Sequence, residues 1–293
     1  MEQIAYPSVC VEEITQILKY FGVFQYPLTL DEIYNLSGKS HNKQVLKEVL
    51  CSLEEEGIIG SENDFYFWGN NKESINKRQE GEQRASHLLP KAFRIGKLIS
   101  RFPFVKFVGI SGSLSKGFAR PDADFDYFII TDNNTLWISR TILHCFKKLT
   151  FLVGLQHWFC MNYFIDCNHL EIEEKNIFTQ MELMTLIPVN NLNLYEYLLL
   201  KNNIPNSHKM PFSIPTTDFV QGYERVFHKE RNKWLKPINL LLMKITDWKW
   251  KRKWKAANIP ESEYKICFKT TPYVSKNHPR NYQKQILEKL SKA

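Results

Sequence analysis

The chain has 293 residues, a formal net charge of +8 and a hydrophobic fraction of 43%. This length allows two domains, or one domain with substantial extensions, and the hydrophobic fraction is ample for a packed core. No run is long and apolar enough to span a bilayer, and the N-terminus lacks the charged-then-apolar pattern of an export signal. The six cysteines form no C-x-x-C pair and the eight histidines show no ligand-like spacing, which argues against a structural zinc site. These features predict a cytoplasmic protein without a membrane partner.

The N-terminal part of the chain carries the pattern of three helices and a hairpin. Apolar positions at helical spacing over residues 12–21 indicate a first helix. Thr29 and Glu32 have the spacing of a capping box, which predicts that a second helix starts just after Thr29. A third helix is expected from about His41 to Glu56, and two apolar runs around a short polar turn indicate a β-hairpin after it.

This order of elements resembles a winged helix-turn-helix domain, which we assign to residues 1–70. The helix that would read DNA has Lys43 and Lys47 near its start but three glutamates, Glu54 to Glu56, near its end. Its wing is acidic, where a DNA-contacting wing is usually basic. This charge placement favours packing or protein docking over DNA binding by the domain.

Residues 71–104 are predicted to connect this domain to a central core at 105–190. The connection is one long polar-faced helix over about 72–101, which Pro90 bends or divides. The core follows as a small α/β unit. Its predicted elements are a strand at Val105–Ile110, a strand at Asp124–Thr131, a helix at Leu136–Val153 and a strand at Trp158–Asp166.

The stretch between the first two strands of the core contains the candidate functional residues. Gly112 and Ser113 leave the first strand, and Leu114–Gly117 is predicted to make a helical turn whose free N–H groups face an anion. Small residues allow a loop backbone to approach a phosphate chain closely. Asp124 and Asp126 are two residues apart on a strand, so both carboxylates point to one side, where they can share hard cations such as Mg²⁺.

Gly-Ser, a spacer of about ten residues and Asp-x-Asp within a strand resemble the signature of the DNA polymerase β-like nucleotidyltransferase superfamily. The stretch G-S-L-S-K-G-F-A-R-P-D-A-D-F-D is especially similar to small prokaryotic members such as the antibiotic-adenylating enzymes. A winged helix before the core and helices after it also resemble prokaryotic proteins that carry a nucleotidyltransferase domain. We therefore expect an α+β fold with an N-terminal winged helix-turn-helix, a central small mixed-sheet nucleotidyltransferase core and a C-terminal helical region at 191–293.

The resemblance also implies an activity and the roles of individual residues. Gly112 and Ser113 would hold a nucleoside triphosphate, and Asp124 and Asp126 would coordinate two Mg²⁺ ions. Such an enzyme moves a nucleoside monophosphate from the triphosphate to an acceptor hydroxyl and releases pyrophosphate. The sequence names neither the acceptor nor the base of the triphosphate.

Further polar positions complete the predicted site. Lys116 and Arg120 lie in the loop and are expected to meet the β- and γ-phosphates. Many members of the superfamily have a third carboxylate on a later strand, which helps to deprotonate the acceptor hydroxyl. Here that strand has Asn162 at its centre and Asp166 near its end, and asparagine cannot act as a base. Asp166 is therefore the predicted catalytic base, and a two-carboxylate enzyme or a catalytically weakened one are the alternatives.

The last third of the chain is predicted to be mostly helical. Two helical patterns in residues 173–203 are followed by a polar, proline-punctuated linker at 205–215. A helical stretch then runs over about 218–257 with a break at Pro237, and the tail at 267–293 ends in a final helix.

A basic, tryptophan-rich run lies at residues 244–255. Its tryptophans can stack on bases while Lys and Arg neutralise phosphates, or they can pack inward while the lysines stay in water. Trp250 and Trp254 share a helix face, which favours packing. Nucleic acid, bound through this run or the winged helix, remains a second partner class beside the triphosphate. The alternative function is thus a catalytically inactive nucleotidyltransferase-fold protein that acts as a nucleic-acid-binding or regulatory module.

Overall fold

The computed structural model describes residues 8–38, 42–154, 156–204, 232–256, 260, 264, 267–278 and 281–292. It is a mixed α+β structure with two sheets, as the sequence predicts at the level of fold class. The linker predicted at 205–215, and the first part of the helical stretch predicted from about 218, lie outside the described residues.

The elements are numbered in chain order. The helices are α1 (Ser8–Gly22), α2 (Leu30–Leu36), α3 (Lys43–Glu55), α4 (Glu73–Ser100), α5 (Leu136–Thr150), α6 (Ile177–Met184), α7 (Leu192–Lys201), α8 (Lys236–Ala256) and α9 (Tyr282–Lys292). The strands are β1 (Leu28–Thr29), β2 (Ile59–Glu62), β3 (Phe65–Trp68), β4 (Val105–Ser111), β5 (Asp126–Thr131), β6 (Cys160–Asp166), β7 (Ile187–Pro188), β8 (Phe268–Thr271) and β9 (Val274–Asn277).

The N-terminal unit, residues 8–68, packs α1, α2 and α3 with a three-stranded antiparallel sheet in the order β1-β3-β2. The predicted capping box is present at the start of α2. The Thr29 side chain accepts the N–H of Glu32, and the Glu32 carboxylate accepts the N–H of Thr29. The Glu32 carboxylate also pairs with the buried Arg78 of α4 at 2.6 Å, which fixes α4 to the N-terminal unit.

Helix α4 is continuous through Pro90, so of the two predicted effects of this proline, bending or dividing the helix, division does not occur. Leu89 and Phe93 are buried on either side of the proline. Their burial, together with that of Ala85 and Ala92, offsets the hydrogen bond that a proline inside a helix removes.

The large sheet has six strands in the order β7-β4-β5-β6-β9-β8. Strands β5 and β6 are parallel, and the other neighbours are antiparallel. Strands β8 and β9 come from the region predicted to be helical, which corrects that prediction. Each is only four residues long, and a four-residue pattern is too short to distinguish a strand from a loop by periodicity.

The two faces of this sheet differ because successive residues of a strand point to opposite sides. Tyr127 and Ile129 of β5 lie in a core that α4 and α5 share. Phe128 and Ile130 lie in the other core, with residues from α6, α7 and the N-terminal unit. Asp126, at the start of β5, shares the side of Phe128.

Candidate functional site

The loop after β4 brings the two halves of the sequence motif together. Ser111, the last residue of β4, pairs with Asp126, the first residue of β5. Gly112 has a φ of +73°, and a Cβ atom on it would lie 2.6 Å from Asp126 Oδ2. Glycine is therefore needed at this position both for the left-handed backbone and for the approach of the carboxylate.

The loop from residue 112 to residue 120, called the glycine loop below, continues as predicted. A 3₁₀ turn spans Leu114–Lys116, and Ser113 precedes it as an exposed residue. The Ser115 hydroxyl donates to the Gly112 carbonyl at 2.9 Å and closes the turn. Arg120 is exposed at the end of the loop, so its role in phosphate binding stays a prediction.

Lys116 is buried in this loop, with 8% of its surface exposed. Its Nζ donates to the Gly112 carbonyl at 3.1 Å and to the Glu182 carboxylate at 2.7 Å. The positive charge thus lies beneath the glycine of the motif. Glu182, on α6, is a site residue that the sequence reasoning missed. Its only sequence signal is that it is the one acidic residue within an apolar helix, I-F-T-Q-M-E-L-M.

Asp126 lies near two other carboxylates, those of Asp124 and Glu182. Its pKa is raised to about 6, first because the carboxyl is removed from water. The negative charges of Asp124 and Glu182 also raise this pKa, while the Cys160 thiol and the charge of Lys116 lower it. A bound cation relieves such crowding of carboxylates.

Asp124 belongs to the same site but has a different environment. Strand β5 begins at Asp126, so Asp124 precedes the strand instead of lying within it as predicted. Its side chain is 45% exposed, and its Oδ1 lies 2.8 Å from Nδ1 of His157. No motif in the sequence singles out His157, which reaches the aspartate from the turn before β6.

The donor set of Asp124 and Asp126 fits Mg²⁺ that arrives with phosphates. Among the residues described above, no group of three or more His, Cys, Asp or Glu side chains is placed to hold a metal ion. Magnesium in nucleotide sites is usually held by one or two carboxylates and completed by phosphate oxygens and water. Two neighbouring carboxylates with a raised pKa at Asp126 match that arrangement.

Asp166 is not brought to this site. In the parallel pair β5 and β6, Asp126 lies opposite Cys160 and Thr131 lies opposite Asp166. The two aspartates are thus separated by the length of the strand, roughly 16 Å at the usual rise per residue. The expectation that Asp166 acts as the catalytic base does not fit this geometry.

Asn162 occupies the place where the third carboxylate was expected. A break in register between Tyr127 and Phe128 accommodates it in the β5–β6 pairing. Its side-chain amide donates to Asp126 Oδ1 at 3.3 Å. The position near the second aspartate therefore holds a hydrogen-bond donor and no base.

The N-terminal unit contacts the glycine loop and the neighbouring Glu182. The Tyr26 hydroxyl donates to the Lys116 carbonyl at 2.7 Å, and the Tyr20 hydroxyl donates to the Glu182 carboxylate at 3.3 Å. The ring of Phe118 lies edge-on to the ring of Tyr26, with the centroids 6.0 Å apart. These contacts give the N-terminal unit a packing role at the site.

The basic run on α8 lies apart from these contacts. Trp254 is buried, and Trp250 packs on Trp137 and Phe268, so the inward packing predicted for this pair is confirmed. Trp248 is 58% exposed. The exposed basic residues of the run are Lys244, Lys249, Lys251, Arg252, Lys253 and Lys255.

Across the described ranges, no helix combines the length and the apolarity that crossing a membrane requires. Comparisons with protein-family models, with curated proteins and with solved structures found no match.

Proposed function

We propose that this protein is a Mg²⁺-dependent nucleotidyltransferase, which moves a nucleoside monophosphate from a nucleoside triphosphate to an acceptor hydroxyl and releases pyrophosphate. The observation that carries this proposal is the contact between Gly112 and Asp126. A Cβ atom on the glycine would lie 2.6 Å from the carboxylate oxygen. A backbone suited to phosphate and a carboxylate suited to a cation are thus immediate neighbours.

In this proposal the N-terminal unit is a winged helix-turn-helix that supports the site, and β4, β5 and β6 form the nucleotidyltransferase core. The glycine loop holds the triphosphate through Gly112 and Ser113, and Asp124 and Asp126 hold the metal. When bound, Mg²⁺ neutralises the phosphates and the charge that develops during transfer. Lys116 adds a fixed positive charge beneath the loop.

The chemical step forms one bond and breaks one. The acceptor oxygen attacks the α-phosphorus, a new P–O bond forms, and the bond to the bridging oxygen of pyrophosphate breaks. The hydroxyl proton needs a base, which Asn162 cannot be and which Asp166 is too distant to be. We assign this role to Glu182, because the Lys116 Nζ that contacts its carboxylate at 2.7 Å also contacts the Gly112 carbonyl beside Asp126 at 3.1 Å.

The test supplies each common nucleoside triphosphate, labelled at the α-phosphate, with Mg²⁺ and a cell extract. We expect the wild type to transfer label and the double variant Asp124→Asn, Asp126→Asn to lose both transfer and Mg²⁺-dependent triphosphate binding. Asp122→Asn changes an exposed acid in the adjoining loop and is the matched control, which keeps both. Transfer that persists in the double variant would rule out the proposed metal site.

A second function, nucleic-acid binding through α8, is favoured by one observation. The run at 244–255 exposes six basic side chains and Trp248 on one helix. Basic side chains neutralise phosphates and an exposed indole stacks on bases. Binding of single-stranded RNA or DNA that weakens with salt, falls in Trp248→Ala and survives the double aspartate variant supports it. Binding that does not respond to Trp248→Ala argues against it.

A further inference from the structure

The sheet face that carries Asp126 also forms the floor of a cavity. Phe128 is two residues along β5 from Asp126 and points to the same side. Tyr163 of β6 pairs with Phe128, and Lys276 of β9 pairs with Tyr163. Directly paired residues share a face of the sheet, so these three side chains form a row across three strands. This row lies about 7 Å from Asp126, two residues further along the strand.

Helix α6 forms one wall of the cavity, and residue 278 after β9 together with the start of α9 forms the other. Phe178 and Leu183 line it from α6, and His278 and Tyr282 line it from the opposite side. Its volume is about 110 Å³, several times the ~10–15 Å³ that a single water needs. Burial lowers the pKa of His278 to about 4, so its imidazole is neutral at neutral pH. Phe128 and Tyr163 on the floor and Phe178 and Leu183 on the α6 wall give the cavity a largely aromatic and apolar surface. Lys276 on the floor and Glu182 on α6 are charged, and His278 opposite α6 is neutral.

One end of the cavity reaches the proposed catalytic residues. Ser111 and Glu182 both line the cavity. Ser111 pairs with Asp126 across the β4–β5 ladder, and Glu182 shares the Lys116 Nζ with the carbonyl of Gly112, the residue after Ser111. A molecule in the cavity therefore has one end beside the aspartate and beside the proposed base.

The cavity also contains a carboxylate oxygen that lacks a donor. Glu174 lines the cavity, and its Oε1 lies 3.3 Å from Nζ of Lys276. Its Oε2 is buried, and no described residue donates a hydrogen bond to it. Burial raises the pKa of Glu174, but the charges of Lys276 and Lys269 lower it by more, so the group is a carboxylate whose Oε2 can accept an N–H or O–H group of a ligand.

We infer that this cavity is the acceptor subsite, and that the acceptor is a small molecule, not a protein or a nucleic acid. The inference rests on the proposed function. The acceptor has a flat apolar part that lies against Phe128 and Tyr163, and an N–H or O–H group for Glu174. Its hydroxyl points to Asp126, gives its proton to Glu182 as the P–O bond forms, and displaces pyrophosphate.

The base of the donor triphosphate is also a flat ring that could lie against Phe128 and Tyr163. The experiment therefore distinguishes an acceptor in the cavity from a donor base in the cavity. Thr179 lines the cavity from α6, and Thr179→Phe fills it. Gln180 is the next residue and is exposed, so Gln180→Phe is a matched control on the same helix. Each protein is incubated with α-labelled triphosphates, Mg²⁺ and a cell extract that a dialysis membrane has divided into small and large molecules. Triphosphate binding with Mg²⁺ is measured in parallel.

We expect the wild type and Gln180→Phe to label a compound in the small-molecule fraction, and Thr179→Phe to label it about tenfold less. Thr179→Leu fills less space and gives an intermediate loss, which keeps the test decisive if Thr179→Phe does not fold. Triphosphate binding should be equal in all four proteins.

Three outcomes overturn the inference. Weaker triphosphate binding in Thr179→Phe assigns the cavity to the donor base. Label in the large-molecule fraction assigns the acceptor to a macromolecule. Equal labelling by Thr179→Phe and Gln180→Phe removes the cavity from the reaction while leaving the proposed function intact. A wild type that neither binds triphosphate nor transfers label would instead contradict the proposed function itself.

Discussion

Asp126 and Asp166 are acidic residues on neighbouring parallel strands, and their surroundings differ at every contact. Asp166 ends β6 with 2% of its side chain exposed. Its carboxylate accepts the backbone N–H of Asn134 at 3.0 Å and that of Asn168 at 2.9 Å. His169 lies 3.5 Å away and adds a further partner.

Asp126 begins β5 and has a different set of neighbours. It accepts a side-chain amide from Asn162 at 3.3 Å, and the left-handed Gly112 packs directly against it. Two carboxylates, Asp124 and Glu182, act on it with the same sign of charge.

Burial raises the pKa of both carboxyl groups. The remaining influences all lower the pKa at Asp166, whereas at Asp126 the Cys160 thiol and Lys116 lower it and Asp124 and Glu182 raise it. At Asp166 the backbone N–H groups lower the pKa, and at Asp126 neighbouring carboxylates raise it further. A buried carboxylate that the local backbone satisfies stabilises the fold. A carboxylate on which two other carboxylates act is a candidate for a functional role, and in the proposed function it would bind Mg²⁺.

Replacing Asp126 by asparagine should give the largest effect and should separate activity from stability. We expect label transfer to fall by at least about 100-fold, because one group that stabilises charge in the transition state is lost. Stability should stay level or rise by about 1 kcal/mol, because a buried charge beside two carboxylates is removed. Transfer assays and urea unfolding of the same preparation measure the two quantities.

The exposed Asp122→Asn should leave both quantities unchanged. A large loss of stability in Asp126→Asn would show that this aspartate, like Asp166, is a structural carboxylate. That result would remove the contrast between the two residues.

Replacing Gly112 by alanine tests whether the contact with Asp126 matters beyond the backbone conformation. Gly154 has nearly the same φ, +71° against +73°, but a Cβ atom on it would meet nothing within 4 Å. Gly154→Ala should therefore lose only the ~1–2 kcal/mol of a left-handed alanine. Gly112→Ala should lose about 1 kcal/mol more and about tenfold in transfer, since the carboxylate must move. Equal losses of stability in the two variants, with transfer unchanged, would mean that the approach to Asp126 has no consequence.

The sequence was informative where the contacts are local. Gly112 and Asp126 are joined by one short loop between two apolar strands, so their proximity follows from the motif. The capping box at Thr29 and Glu32 is equally local, and the structure contains it. The shared helix face of Trp250 and Trp254 follows from helical periodicity alone, and both tryptophans pack inward.

The sequence was uninformative where partners are distant in the chain or where register decides the outcome. Glu182 reaches Lys116 through the packing of α6 on the sheet, which no periodicity reveals. The prediction that Asp166 is the catalytic base failed for a different reason. An apolar run predicts that a strand exists, but it predicts neither the pairing of that strand nor the bulge at Asn162. The end of β6 that lies beside Asp126 was therefore not predictable from the sequence.

Asp166→Asn should lower stability and leave transfer unchanged, the reverse of the result expected for Asp126→Asn. An asparagine amide cannot accept from both backbone N–H groups as the carboxylate does, and we expect a loss of about 2 kcal/mol in stability. Transfer per folded molecule should be unchanged, because the residue lies at the far end of the strand. Urea unfolding and transfer assays at matched folded fraction measure this. A loss of transfer with unchanged stability would show that Asp166 is a catalytic residue after all.

The smallest expected effect is the change of stability with pH, to which His144 on α5 contributes. Burial first, and then the charges of Arg140, Lys147 and Lys148, lower the pKa of His144 to about 3. An unfolded histidine has a pKa of about 6.5. Between these values the unfolded chain binds a proton that the folded chain does not, so stability is greatest above pH 6.5 and falls as the pH drops through this window.

Burial likewise lowers the pKa of His278 to about 4, so each of the two histidines is expected to cost about 1.4 kcal/mol of stability per pH unit below 6.5. Asp126, whose pKa is raised to about 6, binds a proton more readily in the folded chain and opposes this loss as the pH falls through 6. His144→Gln should therefore lose about 1.3 kcal/mol less than the wild type between about pH 7 and pH 5.5 in urea unfolding, whereas His87→Gln, at an exposed position, should behave as the wild type. An equal loss in His144→Gln and the wild type would contradict the neutral state of His144.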